Sequence, residues 1–339
     1  MKTWFVTGGA GFIGSAFLRL VLDDRPDVHV IDYDALTYAG NPENLTGLDP
    51  ARHTFIQGDI CNADAVREAL PDGAEVIVNF AAESHVDRSI LSANEFIRTN
   101  VLGTQVLLDA AREKQVRRFC QISTDEVMGS LPDESDEVFT EATPFQPNSP
   151  YAASKAGAEH LVRATHETFG LDTVITRCGN NYGPRQFPEK FIPLMISNAL
   201  ADQPIPVYGD GKNVRDWIYV DDHCRAILDI IERGTSGDTF NIGARNERHN
   251  IDVVESVLDA VGKPRSLISY VEDRLGHDRR YAIDPTKIEN DLGWKPRETW
   301  ASGLEKTIRW YLDNQAWTDR IRSGAYKEYY HQQYGMKIA

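Results

Sequence analysis

Trp4-Phe5-Val6-Thr7-Gly8-Gly9-Ala10-Gly11-Phe12-Ile13-Gly14 begins as a β-rich run and ends on a helical pattern that continues to Asp23. Glycines at 8, 11 and 14 permit a tight turn and let the backbone approach a bound pyrophosphate, with a helix N-terminus facing the phosphates. A glycine-rich turn alone is weak evidence. A strand before it, a helix after it and an acid closing the second strand make a plain loop a poor explanation. The second strand reads as Val28 to Asp32, so Asp32 is the expected acid, with Asp34 either a second ribose or adenine-side contact or a solvated turn residue. A carboxylate at that place binds both hydroxyls of a ribose and repels a 2′-phosphate, which predicts NAD rather than NADP.

Outward from this turn, short β-rich runs alternate with helical patterns. The strands are Trp4 to Thr7, Val28 to Asp32, His53 to Gln57, Val76 to Ala81, Arg118 to Ser123 and Thr173 to Arg177. Apolar residues at helical spacing fill Gly14 to Asp23, Asp64 to Leu70, Val101 to Glu113 and Tyr151 to Phe169. Strands separated by helices predict βαβ units, and hence an α/β fold of Rossmann type with a doubly wound parallel sheet. The second half is richer in Pro and Gly turns, with helical patterns near Asp252 to Val261 and Gly303 to Asp313, and reads as a smaller C-terminal α/β domain. The expected division is 1–178 plus about 214–243 for the dinucleotide domain, and about 179–213 plus 244–330 for the smaller one. Asp59-Ile60 and Ala81-Ala82-Glu83-Ser84-His85 follow the third and fourth strands, at the edge where an open α/β sheet holds its ligand. His85 is given a contact role only.

With 339 residues, 41% hydrophobic and 26% charged, the chain has ordinary globular composition. A net charge of −15 repels polyanions, which argues against a nucleic-acid or anionic-membrane partner and requires a local positive site for any phosphate. Cys61, Cys120, Cys178 and Cys224 lie far apart without a CxxC pair, as suits reduced thiols rather than a disulfide framework or a zinc site. No metal site is expected. No signal-like segment or membrane-length apolar run is present, so the reading is a cytoplasmic protein.

Two further stretches carry chemistry. In Tyr151-Ala152-Ala153-Ser154-Lys155 the i, i+4 spacing puts a phenol and an ammonium on one helix face. A tyrosine pKa near 10 is too high for a base at neutral pH, and a nearby ammonium and a nicotinamide cation both favour the phenolate. Tyr151 can then take a hydroxyl proton as hydride leaves the same carbon. Ser123-Thr124-Asp125-Glu126 follows the fifth strand. Helix capping explains such a segment in isolation, Thr124 as N-cap with two acids in the first turn. Beside a hydride-transfer centre the same two carboxylates offer an acid and a base for removing water.

With these residues in view, the sequence resembles the dTDP-glucose 4,6-dehydratases of the extended short-chain dehydrogenase/reductase superfamily, nearly end to end. The resemblance is carried by Thr37-Tyr38-Ala39-Gly40-Asn41, AAESHVDRS at 81–89, STDEV at 123–127, SPYAASK at 149–155, NNYGP at 180–184, YGDGKNVRDWIYVDDH at 208–223 and DRLGHD at 273–278. Related epimerases and decarboxylases share the glycine turn and the YxxxK pair but do not typically carry Thr-Asp-Glu. The resemblance implies oxidation of glucose C4, with Tyr151 as base, Thr124 holding the oxygen and Lys155 orienting the nicotinamide ribose. Glu126 then removes the C5 proton, Asp125 protonates the departing C6 hydroxyl, hydride returns to C6 and a proton returns to C5. It implies a tightly held NAD+ contacted by Gly8, Gly11, Phe12, Ile13, Gly14, Asp32, Asp34, Leu36, Thr37, Asp59, Ile60, Ala81, Ala82, Ser84, Thr99, Tyr151, Lys155, Cys178 and Asn180. For the nucleotide sugar it implies Ser84, His85, Thr124, Asp125, Glu126, Asn180, Lys190, Phe191, Leu194, Pro206, Tyr208, Arg215, Asn250, Arg274, His277 and Tyr281, with Arg215 and Arg274 on the diphosphate. A homodimer through the segments Val101 to Glu113 and Tyr151 to Phe169 is also implied, unless their apolar faces simply cover the sheet. Three positions depart from the family pattern: Met128 for tyrosine, Gly179 for serine and Leu275 for proline. A UDP-glucose 4,6-dehydratase, another sugar-nucleotide enzyme such as a 4-epimerase, and a catalytically silent NAD-binding regulator stand as alternatives.

Overall fold

The computed structural model describes residues 1–322. Its largest element is a seven-stranded parallel sheet. The strands are β1 (Lys2–Thr7), β2 (Val28–Asp34), β3 (His53–Gln57), β4 (Val76–Asn79), β5 (Arg118–Thr124), β6 (Thr173–Cys178) and β10 (Thr239–Ile242). Their order is β10-β6-β5-β4-β1-β2-β3, so the winding reverses between β1 and β4, where open α/β sheets place their ligands.

Covering both faces explains why these strands read as near-continuous apolar runs. Alternation along β1 sends Trp4 and Val6 to one face, where they meet Phe17, Leu18 and Val21 of helix Phe12–Asp24 and Ile227, Ile230 and Ile231 of helix Val220–Arg233. Phe5 points the other way, into a cluster with Phe119, Leu107 and Leu108 of helix Thr104–Glu113 and Val162 of helix Pro150–Phe169. Each fully buried side chain of this size contributes about 1.5–3 kcal/mol, which holds the strand ends, and thus the ligand edge, in fixed register.

The second half builds two small sheets. Strands β7 (Asn180–Tyr182), β9 (Val214–Tyr219) and β11 (Glu247–His249) form one; β8 (Ile205–Tyr208) and β12 (Ile268–Val271) form a parallel pair. A third core of Ile192, Ile196, Val207, Trp217, Val254, Leu258 and Tyr311 lies beneath them. Val214–Tyr219 was expected with the large sheet but pairs with β7 and β11; the return begins at helix Val220–Arg233 and is completed by β10. Of the smaller domain as expected, residues 323–330 lie outside the described residues.

The approach to helix Thr104–Glu113 differs from the expected single helix. Residues Ile97–Gly103 form a π-helical stretch, and Asn100 within it is buried. Its Oδ1 accepts from the Glu83 backbone N–H at 2.9 Å, and its Nδ2 donates to Glu83 O at 2.9 Å and Ser154 Oγ at 2.8 Å. The extra residue per turn thus aims a side chain that pins the loop after β4 to helix Pro150–Phe169.

Candidate active site

At the switch point, Gly8 adopts φ +74°, and a Cβ there would lie 2.7 Å from the Ala81 backbone nitrogen. A Cβ on Gly14 would overlap the Gly8 carbonyl. Only glycine fits either position. Helix Phe12–Asp24 starts at Gly11 with no side-chain cap and no acid in its first turn, leaving backbone donors directed at an anion site. Gly8, Gly11, Phe12, Ile13 and Gly14 line a cavity together with Thr37, Asp59, Ile60, Ala81, Ala82, Ser84, Thr99, Cys178 and Asn180.

The expected acid is displaced by two residues. Strand β2 runs on to Asp34 rather than stopping at Asp32, and residues two apart share a strand face. Asp32 is fully buried behind the turn, with His53 Nε2 3.3 Å from its carboxylate, and a Cβ on Gly9 would overlap it. Asp34 is the acid that lines the cavity; its Oδ2 accepts from Ala10 N at 3.0 Å and its Oδ1 from Leu36 N at 2.8 Å. Leu36 contributes a left-handed backbone (φ 52°) and does not line the cavity. Glu95 and Arg98, which sequence reasoning passed over, do line it, and Arg98 pairs with Asp59 at 2.6 Å. A cradle free of Cβ atoms, open helix amides and a carboxylate at the end of β2 together fit a dinucleotide.

The reacting groups converge deeper in the same cavity. Thr124 ends β5 and caps a short 3-10 turn, Asp125–Met128: its Oγ1 accepts from Glu126 N at 3.3 Å and donates to Asp125 Oδ1 at 3.3 Å. Capping and site geometry are therefore properties of one hydroxyl. Thr124, Asp125, Glu126, Tyr151 and Lys155 all line the cavity. Burial pushes the Asp125 carboxyl well above its ordinary range, Glu126 and Asp216 add to the effect, and Arg215 opposes it. Glu126 is raised as well, chiefly by burial, but Arg215, Arg274 and Lys190 pull it back toward the charged form. Two adjacent carboxyls thus sit in unlike fields, the arrangement that separates an acid from a base.

The Tyr151 phenol does not behave as expected from its lysine alone. Burial raises it, Glu126, Cys178 and Asp125 raise it further, and a hydrogen bond with Thr124 only partly offsets them. Lys155 donates through Nζ to Ile122 O at 2.5 Å; burial, opposed by Glu159, lowers it to about 8. Burial, with these neighbours adding to it, therefore favours the neutral phenol.

A second cavity is continuous with the first, the two sharing Ser84, Glu126, Asn180, Asn181, Gln186 and Lys190. It brings together the remaining expected residues: His85, Phe191 and Leu194 on one side, Pro206, Tyr208, Arg215, Asn250, Arg274, His277 and Tyr281 on the other. Lys190 donates to Ser84 O at 2.9 Å. Arg215 lies 4.2 Å from the Tyr281 ring centroid and donates to Asp278 O at 2.9 Å. Tyr281 in turn donates to Asp278 Oδ2 at 2.5 Å. Burial, with Arg215 and Arg274 adding positive charge, takes His277 down to about 4 despite Asp273 at 2.7 Å. Asp87, Gln186 and Glu189 also line this cavity and were not anticipated. Asp87 belongs to the AAESHVDRS stretch, so its place in the motif was the available signal.

Comparison with known proteins agrees with this geometry. The family model described as GDP-mannose 4,6 dehydratase matches residues 5–307. The chain is 49% identical to dTDP-glucose 4,6-dehydratase 1 of Escherichia coli strain K12, covering 97% of this chain and 98% of that one. It is also 49% identical to dTDP-glucose 4,6-dehydratase of Neisseria meningitidis serogroup B, over 96% and 98% of the two chains. Among solved structures, it resembles DesIV, the dTDP-glucose 4,6-dehydratase of Streptomyces venezuelae, solved with NAD and dTDP bound. That likeness has a TM-score of 0.91 and 48% identity over 94% of this chain and 100% of that one. The UDP-glucose 4-epimerase of Thermotoga maritima is more distant, with a TM-score of 0.84 and 27% identity over 93% and 100% of the chains.

A buried carboxyl with a raised pKa keeps a proton that the unfolded chain releases, so its contribution to stability falls as pH rises from about 4 toward the raised value. Asp125→Asn removes that penalty. The variant is expected to melt higher than the parent at pH 7, by roughly 1–2 °C for each kcal/mol recovered, with the gain vanishing near pH 4. Calorimetric melting across that range checks it; a loss of stability at pH 7 contradicts the burial argument.

Proposed function

The chain belongs to the family of the dTDP-glucose 4,6-dehydratases, and on that premise we propose that it converts dTDP-glucose to dTDP-4-keto-6-deoxyglucose and water. The observation that carries this reading is the pair of buried Asp125 and half-buried Glu126 beside Tyr151, Thr124 and Lys155, at the junction of the two cavities. An oxidoreductase or epimerase needs the tyrosine and lysine; removing water needs the acid and base as well.

The glycine turn, the helix amides and Asp34 hold NAD, with Asp34 on the adenosine ribose. NAD held there would supply the hydride acceptor for glucose C4 and the hydride donor for C6, and the positive charge of its ring would counter the carboxylates around Tyr151. Tyr151 takes the C4 hydroxyl proton while Thr124 holds that oxygen, and Lys155 orients the nicotinamide ribose. A ketone at C4 acidifies the C5 proton, which Glu126 removes, kept nearer its charged form by Arg215, Arg274 and Lys190. Asp125, whose surroundings favour the protonated form, donates to the departing C6 hydroxyl, which leaves as water; once hydride reaches C6, a solvent-exchanged proton returns to C5. Arg215 and Arg274 match the diphosphate with planar forks, supplying the positive site that the acidic chain requires, and Pro206 and Tyr208 pack on the base. Thymine and uracil differ by one methyl, a modest difference for a pocket to detect.

A homodimer is part of the same reading. Ile97, Val101, Leu102 and Leu161 line an apolar groove between the π-helical stretch and helix Pro150–Phe169, and Ile97 and Leu102 are 56% and 51% exposed. A second copy covers this strip. The four cysteines are unpaired, which supports a reducing compartment and a cytoplasmic location.

Purified protein given dTDP-glucose in heavy water should yield a sugar nucleotide lighter by water and carrying deuterium at C5. Recovery of unchanged dTDP-glucose, or of an isomer of equal mass, overturns the assignment; conversion of UDP-glucose in its place moves the base preference. Leu102→Glu should halve the mass seen by light scattering, and an unchanged mass removes the proposed interface.

A further inference from the structure

Asp87 has no part in the reaction just described, and its placement is unusual for a carboxylate near a diphosphate. It is the second residue of helix Val86–Leu91, reached from the ligand edge after β4, and is only 4% exposed. Its side chain spans the cavity to two residues of the smaller domain. Arg274 approaches with Nε 2.5 Å from Oδ1 and Nη2 3.2 Å from Oδ2. The Tyr208 hydroxyl donates to the same Oδ2 at 3.4 Å, and the Arg274 guanidinium stands 5.2 Å from the Tyr208 ring centroid. His85 Nδ1 is 3.9 Å away. Burial, with Lys190, Arg274 and Arg88 adding positive charge, holds His85 well below its ordinary range, so the imidazole is neutral and Arg274 is the cation against Asp87.

Arg274 sits on a segment without helix or strand, next to Leu275, which is 77% exposed. An arginine on such a segment loses much rotamer freedom when a ligand fixes it. A charge-assisted hydrogen bond from Nη2, with the ion pair around it, to a buried carboxylate imposes that order beforehand. Tyr208 belongs to β8 and shares the same anchor. One carboxylate from the large-sheet side therefore sets the positions of a guanidinium and a phenol from the other.

We propose that Asp87 is a positioning residue for the nucleotide: it holds Arg274 for the diphosphate and Tyr208 for the base, so that both contacts are ordered before the substrate arrives. This rests on the assignment of Arg274 and Tyr208 made above. The opposite role for a buried anion is a brake that repels the diphosphate, and the two roles differ in sign.

Titration of dTDP alone into the NAD-loaded protein separates them. Asp87→Asn should weaken dTDP binding and raise KM for dTDP-glucose by about 10- to 100-fold, the scale of a misplaced contact. kcat should change by less than about threefold, because the lost interaction does not touch the reacting carbons. In an Arg274→Ala background Asp87→Asn should add little further loss, since both changes remove the same contact. Arg274→Lys, which keeps the charge and loses the fork, should reproduce most of the loss and serves if Asp87→Asn fails to fold. Unchanged or tighter dTDP binding in Asp87→Asn, fully additive losses, or normal binding by Arg274→Lys overturns the proposal. Failure of the parent protein to turn over dTDP-glucose counts against the assigned reaction instead, and is read before any variant is made.

Discussion

Two neighbouring carboxyls, Asp125 buried and Glu126 half-buried, stand where β5 ends, and the rest of the site is arranged around the cost of keeping them there. A charge taken out of water is expensive unless it is paired or neutralised by a proton. The chain uses both remedies. Asp125 is left in surroundings that favour its protonated form, with one carboxyl oxygen lacking a hydrogen-bond partner among the described residues. Glu126 faces Arg215, Arg274 and Lys190. The Thr124 hydroxyl, joined to one acid through its carboxyl and to the other through its backbone N–H, fixes their spacing.

The field that splits these two acids comes largely from residues around the second cavity. Arg215 lies on β9 and Arg274 on the loop beyond β12, so the groups suited to a diphosphate are also those that keep Glu126 nearer its charged form. Arg215 is held by Asp278 through a backbone oxygen, and Tyr281 by the same residue through its carboxylate. In the proposed reaction, nucleotide recognition and proton abstraction share their cations. This links the smaller domain to chemistry seated on the large sheet.

Much of this was legible in the sequence, because glycine, proline and ionisable residues at fixed spacing have few alternative uses. The glycine turn, the parallel order of strands and the meeting of Thr124, Asp125, Glu126, Tyr151 and Lys155 in one cavity all followed from local pattern. What misled was position along a strand and the field of distant residues. Asp32 and Asp34 share a strand face, and only the true end of β2 shows which of them reaches the ligand edge. The Tyr151 phenol is raised first by its burial and then by Glu126, Cys178 and Asp125, none of which lies in its own helix. Met128, a departure from the family pattern beside the carboxylate turn, proves to be core. It is 3% exposed, packs with Val127, Leu131, Phe139 and Ala156, and its sulfur lies 3.9 Å from Arg177 Nη1. Gly179 has a steric reason, since a Cβ there would lie 2.6 Å from Asp216 O. Leu275 is exposed, and nothing in the structure explains it.

That Asp125 and Glu126 perform the elimination is the central claim, and a single-turnover experiment addresses it most directly. When Glu126→Gln protein loaded with NAD is mixed with dTDP-glucose, absorbance of the reduced nicotinamide should appear and persist. Loss of water should slow by about 10²- to 10⁴-fold, the usual worth of one acid or base. Elimination at the parental rate would contradict the account and leave Thr124-Asp125-Glu126 as no more than a cap on a short helical turn.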